Sequence, residues 1–141
     1  MLRTGDILLF REYPRNICFA ILDWGIRCVT GSKYSHAGFV IVDPPWTGPG
    51  TYVWDSSQHV YPDPQDHKIK FGIAVVPLSV YMEDRTMQLF KRSPVNDKTY
   101  ALFSRQVLEH IHDKVYGKPY DTSATTWLTG IFNYFVPRTT D

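Results

Sequence analysis

The stretch Ser35-His36-Ala37-Gly38-Phe39-Val40-Ile41-Val42-Asp43-Pro44-Pro45 contains a β-branched and aromatic run, Ala37 to Val42, that reads as a β-strand. Asp43-Pro44-Pro45 ends it, because successive prolines cannot donate to a sheet ladder. His36 stands at the entrance of this strand, and the small residues Ser35, Ala37 and Gly38 leave room around its ring.

Upstream, Gly5-Asp6 is a turn signal before Ile7-Leu8-Leu9-Phe10, an apolar run of strand length. After Pro14, the residues Ile17, Ala20, Ile21, Trp24 and Cys28 recur at helical spacing, which predicts an amphipathic helix that buries them and ends at Gly31-Ser32. Arg15, Asp23 and Arg27 fall toward its other face. Downstream, the Pro- and Gly-rich segment Asp43 to Gly50 reads as a loop, followed by a third strand, Thr51 to Trp54, with Asp55 at its end. Prolines and charges return between Tyr61 and Lys68, and Ile73 to Val76 and Met87 to Phe90 predict two more strands. Asn96-Asp97 is an N-cap signal for a helix from about Lys98 to Val115, with Leu102, Phe103, Val107, Leu108, Ile111 and Val115 as its apolar stripe. Tyr120 to Asp141 reads as a short helix or turn and irregular chain. This order predicts an α+β fold, a mainly antiparallel sheet or small barrel of about five strands packed against helices, in one domain spanning 1–141.

Composition supports an ordered chain. Hydrophobic residues make up 43% of the 141 and charged residues 21%, enough apolar material to offset the entropy of ordering. Lys and Arg number 15 against 14 Asp and Glu, so there is no bulk field for nucleic acid or an anionic surface, and no nucleic-acid partner is expected. No apolar run approaches the roughly 20 residues of a membrane span, and Met1 to Asp6 lacks a signal-peptide pattern. Cys18 and Cys28 have neither a disulfide framework nor zinc-site spacing around them, which fits a reducing, cytoplasmic setting.

Asp55 follows His36 by nineteen positions, so if their strands are antiparallel neighbours the two meet. A carboxylate there orients an imidazole base, as the third member of a catalytic triad does. The blander readings are a structural histidine and a turn-capping Asp55 beside Ser56-Ser57. His59, His67, His110 and His112 share no metal-ligand spacing and read as solvated. Trp24, Trp46, Trp54 and Trp127 suit either a groove or a core, and Lys114, Lys118 and Arg138 read as a solvated face.

Four segments carry a resemblance: Gly5 to Phe10, Thr30 to Val40, Val53-Trp54-Asp55-Ser56-Ser57, and Tyr116-Gly117-Lys118-Pro119-Tyr120-Asp121. In this order they look like the circularly permuted papain-like (NlpC-type) cysteine hydrolase superfamily, in particular its YiiX-like branch. The resemblance implies a permuted papain-like fold, with Gly5 and Asp6 opening the first strand, His36 as general base and Asp55 where the family usually has glutamate. Tyr34, Ser35 and Tyr120 would border the substrate cleft. It implies a thiol hydrolase or acyltransferase acting on an amide or ester of a small molecule, a peptide, a peptidoglycan-like substrate or a lipid acyl group, without metal or organic cofactor.

In that family the nucleophilic cysteine comes last, whereas no cysteine follows Cys28 here. Serine and threonine hydroxyls do not replace a thiolate, whose pKa a helix N-terminus and an imidazolium can lower. The expectation is therefore a domain cut short before its nucleophile, or a catalytically inactive peptide- or lipid-binding module that retains the cleft. A third possibility is an interaction domain in which His36 and Asp55 never meet. Cys18, near a helix start, is the remaining thiol candidate; Cys28 reads as a small core hydrophobe.

Overall fold

The computed structural model describes residues 1–12, 17–119 and 123. Strand β1 (Ile7–Glu12) leads to helix α1 (Ile17–Thr30), then to β2 (His36–Val42) and β3 (Thr51–Gln58). Strand β4 (Phe71–Pro77) runs directly into α2 (Leu78–Glu83), followed by β5 (Met87–Arg92), α3 (Asp97–Ala101) and α4 (Arg105–Val115). The strands form one sheet in the order β4-β3-β2-β1-β5, every neighbouring pair antiparallel. The sheet has two edges, β4 and β5, so of the two expected forms the open sheet is the one built.

Alternation along the strands sorts residues onto two faces. On one face Leu8, Phe10, Val40 and Val53 form a buried cluster against which Leu78 and Tyr81 of α2 and Met87 and Leu89 of β5 pack. Burying each such side chain contributes about 1.5–3 kcal/mol, so this cluster is the main anchor of the sheet. His36 and Asp55 belong to this face, since Leu8 pairs with Gly38, Phe10 with His36, and Val40 with Val53. Phe39, Trp54 and Ile73 belong to the other face, where Phe103 and α4 lie against them.

Gly5 makes the turn into β1. Its φ of +104° suits glycine, and a β-carbon there would stand 2.5 Å from the Phe103 ring. Gly38 acts differently: a β-carbon there would collide with Val53, so glycine lets β2 and β3 pack around the Asp55 side chain.

Three expectations are corrected. The apolar stripe of α1 points outward: Ile17, Ile21, Trp24 and Cys28 are exposed, and Asp23 is buried in an ion pair with Arg27 one turn away. Periodicity identifies residues that share a face without saying which face the fold covers. The single helix expected over 98–115 is two helices, because Ser104 caps α4 by accepting from the Val107 amide and diverts the chain at Phe103. Leu102 and Val107 of the expected stripe are exposed, and Leu108 is buried. Helix α2 was not expected, its six residues being too few to show a period. The expected short helix or turn in Tyr120 to Asp141 lies outside the described residues.

Candidate active site

His36 and Asp55 come together although they are distant in sequence. β2 and β3 pair antiparallel with Phe39 opposite Trp54, which sets Gly38 opposite Asp55 and puts His36 on the diagonal of the same face. His36 Nε2 lies 2.7 Å from Asp55 Oδ2. This rules out the arrangement in which the two never meet. Asp55 is mid-strand rather than at the end of β3, because the strand runs on to Gln58.

The two partners differ in access. The Asp55 side chain is 1% exposed and that of His36 is 24% exposed, so the ring is the group that solvent or a ligand reaches. Underneath, the His36 ring packs 5.1 Å from Phe10, which in turn meets Tyr81 edge-on at 5.0 Å. Tyr81 Oη donates to the same carboxylate oxygen, Asp55 Oδ2, at 3.1 Å. An ionised carboxylate only accepts, so the His36 Nε2–H donates to Asp55 and Nδ1 is the ring's basic nitrogen.

A second imidazole closes the other side of the carboxylate. His59 Nε2 lies 2.9 Å from the Gly72 carbonyl and 3.4 Å from Asp55 Oδ1. The carbonyl can only accept, so Nε2 carries its proton toward Gly72, and Asp55 Oδ1 is left buried without a hydrogen bond. His59 is 5% exposed, which corrects the expectation of a solvated residue. Its signal was present: once β3 extends to Gln58, alternation carries positions 55, 57 and 59 along one side. Tyr81 gave no such signal, because it sits on the unanticipated α2.

A polar knot positions His59. The His59 amide donates to the Lys70 carbonyl at 3.0 Å, and Lys70 Nζ reaches the fully buried Asp63 at 2.8 Å and Asp66 at 3.1 Å. Asp63 also accepts from the amides of Gln65 and Val75. Burial pushes the Lys70 ammonium down, but hydrogen bonds to the two aspartates outweigh it and hold the ammonium above its ordinary value. His112 is half-buried, stacked 4.1 Å from Trp46 with Nε2 2.6 Å from Gln65 Oε1, so it too departs from the solvated reading; His67 and His110 are exposed as expected.

The other named residues are distributed around this centre. Ser35 is half-buried next to His36, its amide donating to the Phe10 carbonyl at 3.1 Å. Tyr34 packs 5.2 Å from Phe90, a residue of the opposite sheet face, and so turns away from the pair. Tyr120 lies outside the described residues. Gly5 and Asp6 form a structural turn: Asp6 is fully buried and accepts from Tyr100 Oη at 2.6 Å and the Arg3 amide at 2.8 Å. Cys28, expected in the core, is exposed on α1. Cys18 is the second residue of α1, and its side chain lies outside what is described.

Among the described residues no three His, Cys, Asp or Glu side chains are grouped to hold a metal ion, and no helix is long and apolar enough to cross a membrane. The arrangement provides a partly exposed imidazole held by a buried carboxylate, which can accept a proton at Nδ1 and return it. No protein-family model matches the chain, and no curated protein and no solved structure matches it.

Proposed function

We propose that the chain carries the base half of a papain-like acyl-transfer site, with His36 as general base and Asp55 as its orienting partner. The observation that carries this reading is the 2.7 Å contact between a partly exposed imidazole and a buried carboxylate, reached across two strands. His36 Nδ1 takes the proton of an attacking thiol and returns it to the leaving amine or alcohol of an amide or ester; Asp55 keeps the ring in place and balances its transient positive charge. The order of the four sequence segments supports a peptide, peptidoglycan-like or lipid acyl substrate. No metal or organic cofactor enters this scheme.

Of the two cysteines, Cys28 is exposed on α1 and the Cys18 side chain lies outside what is described, so the test reads the thiol directly. The test is acyl-enzyme trapping with a thiol-directed acyl analogue on the full-length protein. The expected outcome is a cysteine adduct that disappears in His36→Ala while the thermal midpoint stays nearly unchanged. Labelling that is indifferent to His36→Ala would overturn the assignment.

A second reading, a module that uses the same crevice to bind a peptide or lipid, rests on the partly exposed His36 ring above the buried Asp55. Saturable ligand binding that depends on His36, without any adduct, is its signature.

A further inference from the structure

On the sheet face opposite His36, α4 does not close down on the strands. A cavity of about 320 Å³ remains, walled by Phe39, Trp54 and Ile73 from the sheet and by Leu108, Ile111 and Val115 from α4. Protein interiors are packed with few voids larger than a water molecule, and this volume is in the range of small-ligand pockets. Its walls are almost wholly apolar, so water inside finds few hydrogen-bond partners, and hydrocarbon is the favoured filling. Asp55 borders the cavity too, but its carboxylate is engaged with His36 on the other face, so the two sites are separate.

We propose that this cavity binds a single-chain anionic amphiphile, a fatty carboxylate, with the chain between α4 and the sheet and the head group at the α4 flank. Ile111 lines the cavity and is itself 39% exposed, as Val107 is 42% exposed, so the cavity reaches solvent along that flank. Lys114 follows Ile111 by three positions and is its neighbour on the helix surface. It is exposed and makes no ion pair among the described residues. Both acids of α4, Glu109 and Asp113, lie roughly half a turn away from Ile111, and Glu109 is already paired with Arg105. Lys118 adds a second exposed cation at the cavity's edge, where its carbonyl accepts from the amide of the lining residue Ile73. The flank thus offers positive charge without a competing carboxylate on α4, which selects an anionic head group.

The test uses the full chain with a bromine-labelled long-chain fatty acid, kept below its micellar concentration, and follows tryptophan fluorescence; unlabelled acid is titrated by calorimetry. The expected result is saturable quenching at one equivalent that is reduced in Trp54→Phe, since Trp46 lies 5.6 Å from Trp54 and reports as well. Lys114→Glu weakens binding about fivefold, the worth of roughly one surface cation. Ile111→Phe, at a partly exposed position that tolerates the larger ring, fills the cavity and weakens binding about tenfold or more with circular dichroism unchanged. His36→Ala leaves binding unaltered, which separates this site from the acyl-transfer reading. Absence of saturable quenching, quenching undiminished in Trp54→Phe, indifference to Ile111→Phe, or equal affinity for a trimethylammonium chain of the same length would overturn the proposal.

Discussion

Two of the buried carboxylates of this domain, Asp6 and Asp55, are satisfied in opposite ways. At the start of β1, Asp6 accepts from Tyr100, from the Arg3 amide and from Lys91 at 3.1 Å, so a cation and a backbone donor both hold it. On β3, Asp55 is paired with no lysine or arginine among the described residues; a phenol and an imidazole donate to one oxygen, and the other, beside His59, has no hydrogen bond. A carboxylate that serves only the fold is saturated by fixed donors. Asp55 instead holds a solvent-facing imidazole on one oxygen and leaves the other orphaned, an arrangement that costs stability and supports the proposed role of the pair. Burial raises the Asp6 carboxyl, but the hydrogen bonds from Tyr100, Arg3, Ser93 and Lys91 overcome it and hold the group at about 2.

The contrast is sharpest in stability. Replacing Asp6 by Ala leaves the Tyr100 hydroxyl and the Arg3 amide without their acceptor and should cost roughly 2–4 kcal/mol, a fall in thermal midpoint that calorimetry resolves easily. Asp55→Asn should cost about 1 kcal/mol or less, because the amide retains the volume and its oxygen still accepts from His36 and Tyr81. An Asp55 variant as damaging as the Asp6 variant would break the distinction.

Acid titration gives the next effect. Because Asp6 titrates lower in the folded chain than its ordinary 3.8, the stability it contributes is complete above about 4 and is lost as the pH falls toward about 2. Roughly 1–2 kcal/mol of unfolding free energy should disappear over that window, and Asp6→Asn should flatten the slope there. Denaturant midpoints at intervals of pH would show a slope unchanged in the variant if Asp6 were not the group responsible.

Smaller still is Tyr81→Phe, which removes one hydrogen bond to Asp55 and should lower stability by about 0.5–1.5 kcal/mol. Tyr100→Phe, which removes the corresponding bond to Asp6, should cost at least as much, since at 2.6 Å it is the shorter of the two. Urea midpoints of the two variants, compared side by side, test the order; a larger loss for Tyr81→Phe would reverse it.

How far the sequence could be read depends on the range of the interaction. His36 at the mouth of β2 was legible because a β-branched run and a double proline delimit that strand locally. The facing of α1 was not, since its stripe of Ile17, Ile21 and Trp24 gives a period and no direction, and the fold buries Asp23 instead. The break at Ser104 was missed because a serine inside an apolar pattern does not announce that its hydroxyl will cap a new helix. His59 was underrated because only the full length of β3 brings its position into the alternation that contains Asp55.

The amino-acid order alone determined the strands, their turns and their in-out alternation, because dihedral preferences, proline's missing amide and glycine's freedom act over a few residues. It also placed an imidazole at the start of β2, while the carboxylate it set at the end of β3 lies within that strand. Only the tertiary structure decided that β2 and β3 pair in the register joining His36 to Asp55, that His59 and Tyr81 enclose the same carboxylate, and that α4 stands off from the sheet. Those outcomes depend on which apolar faces bury each other across long stretches of chain, and such non-local packing has no signature in any single segment.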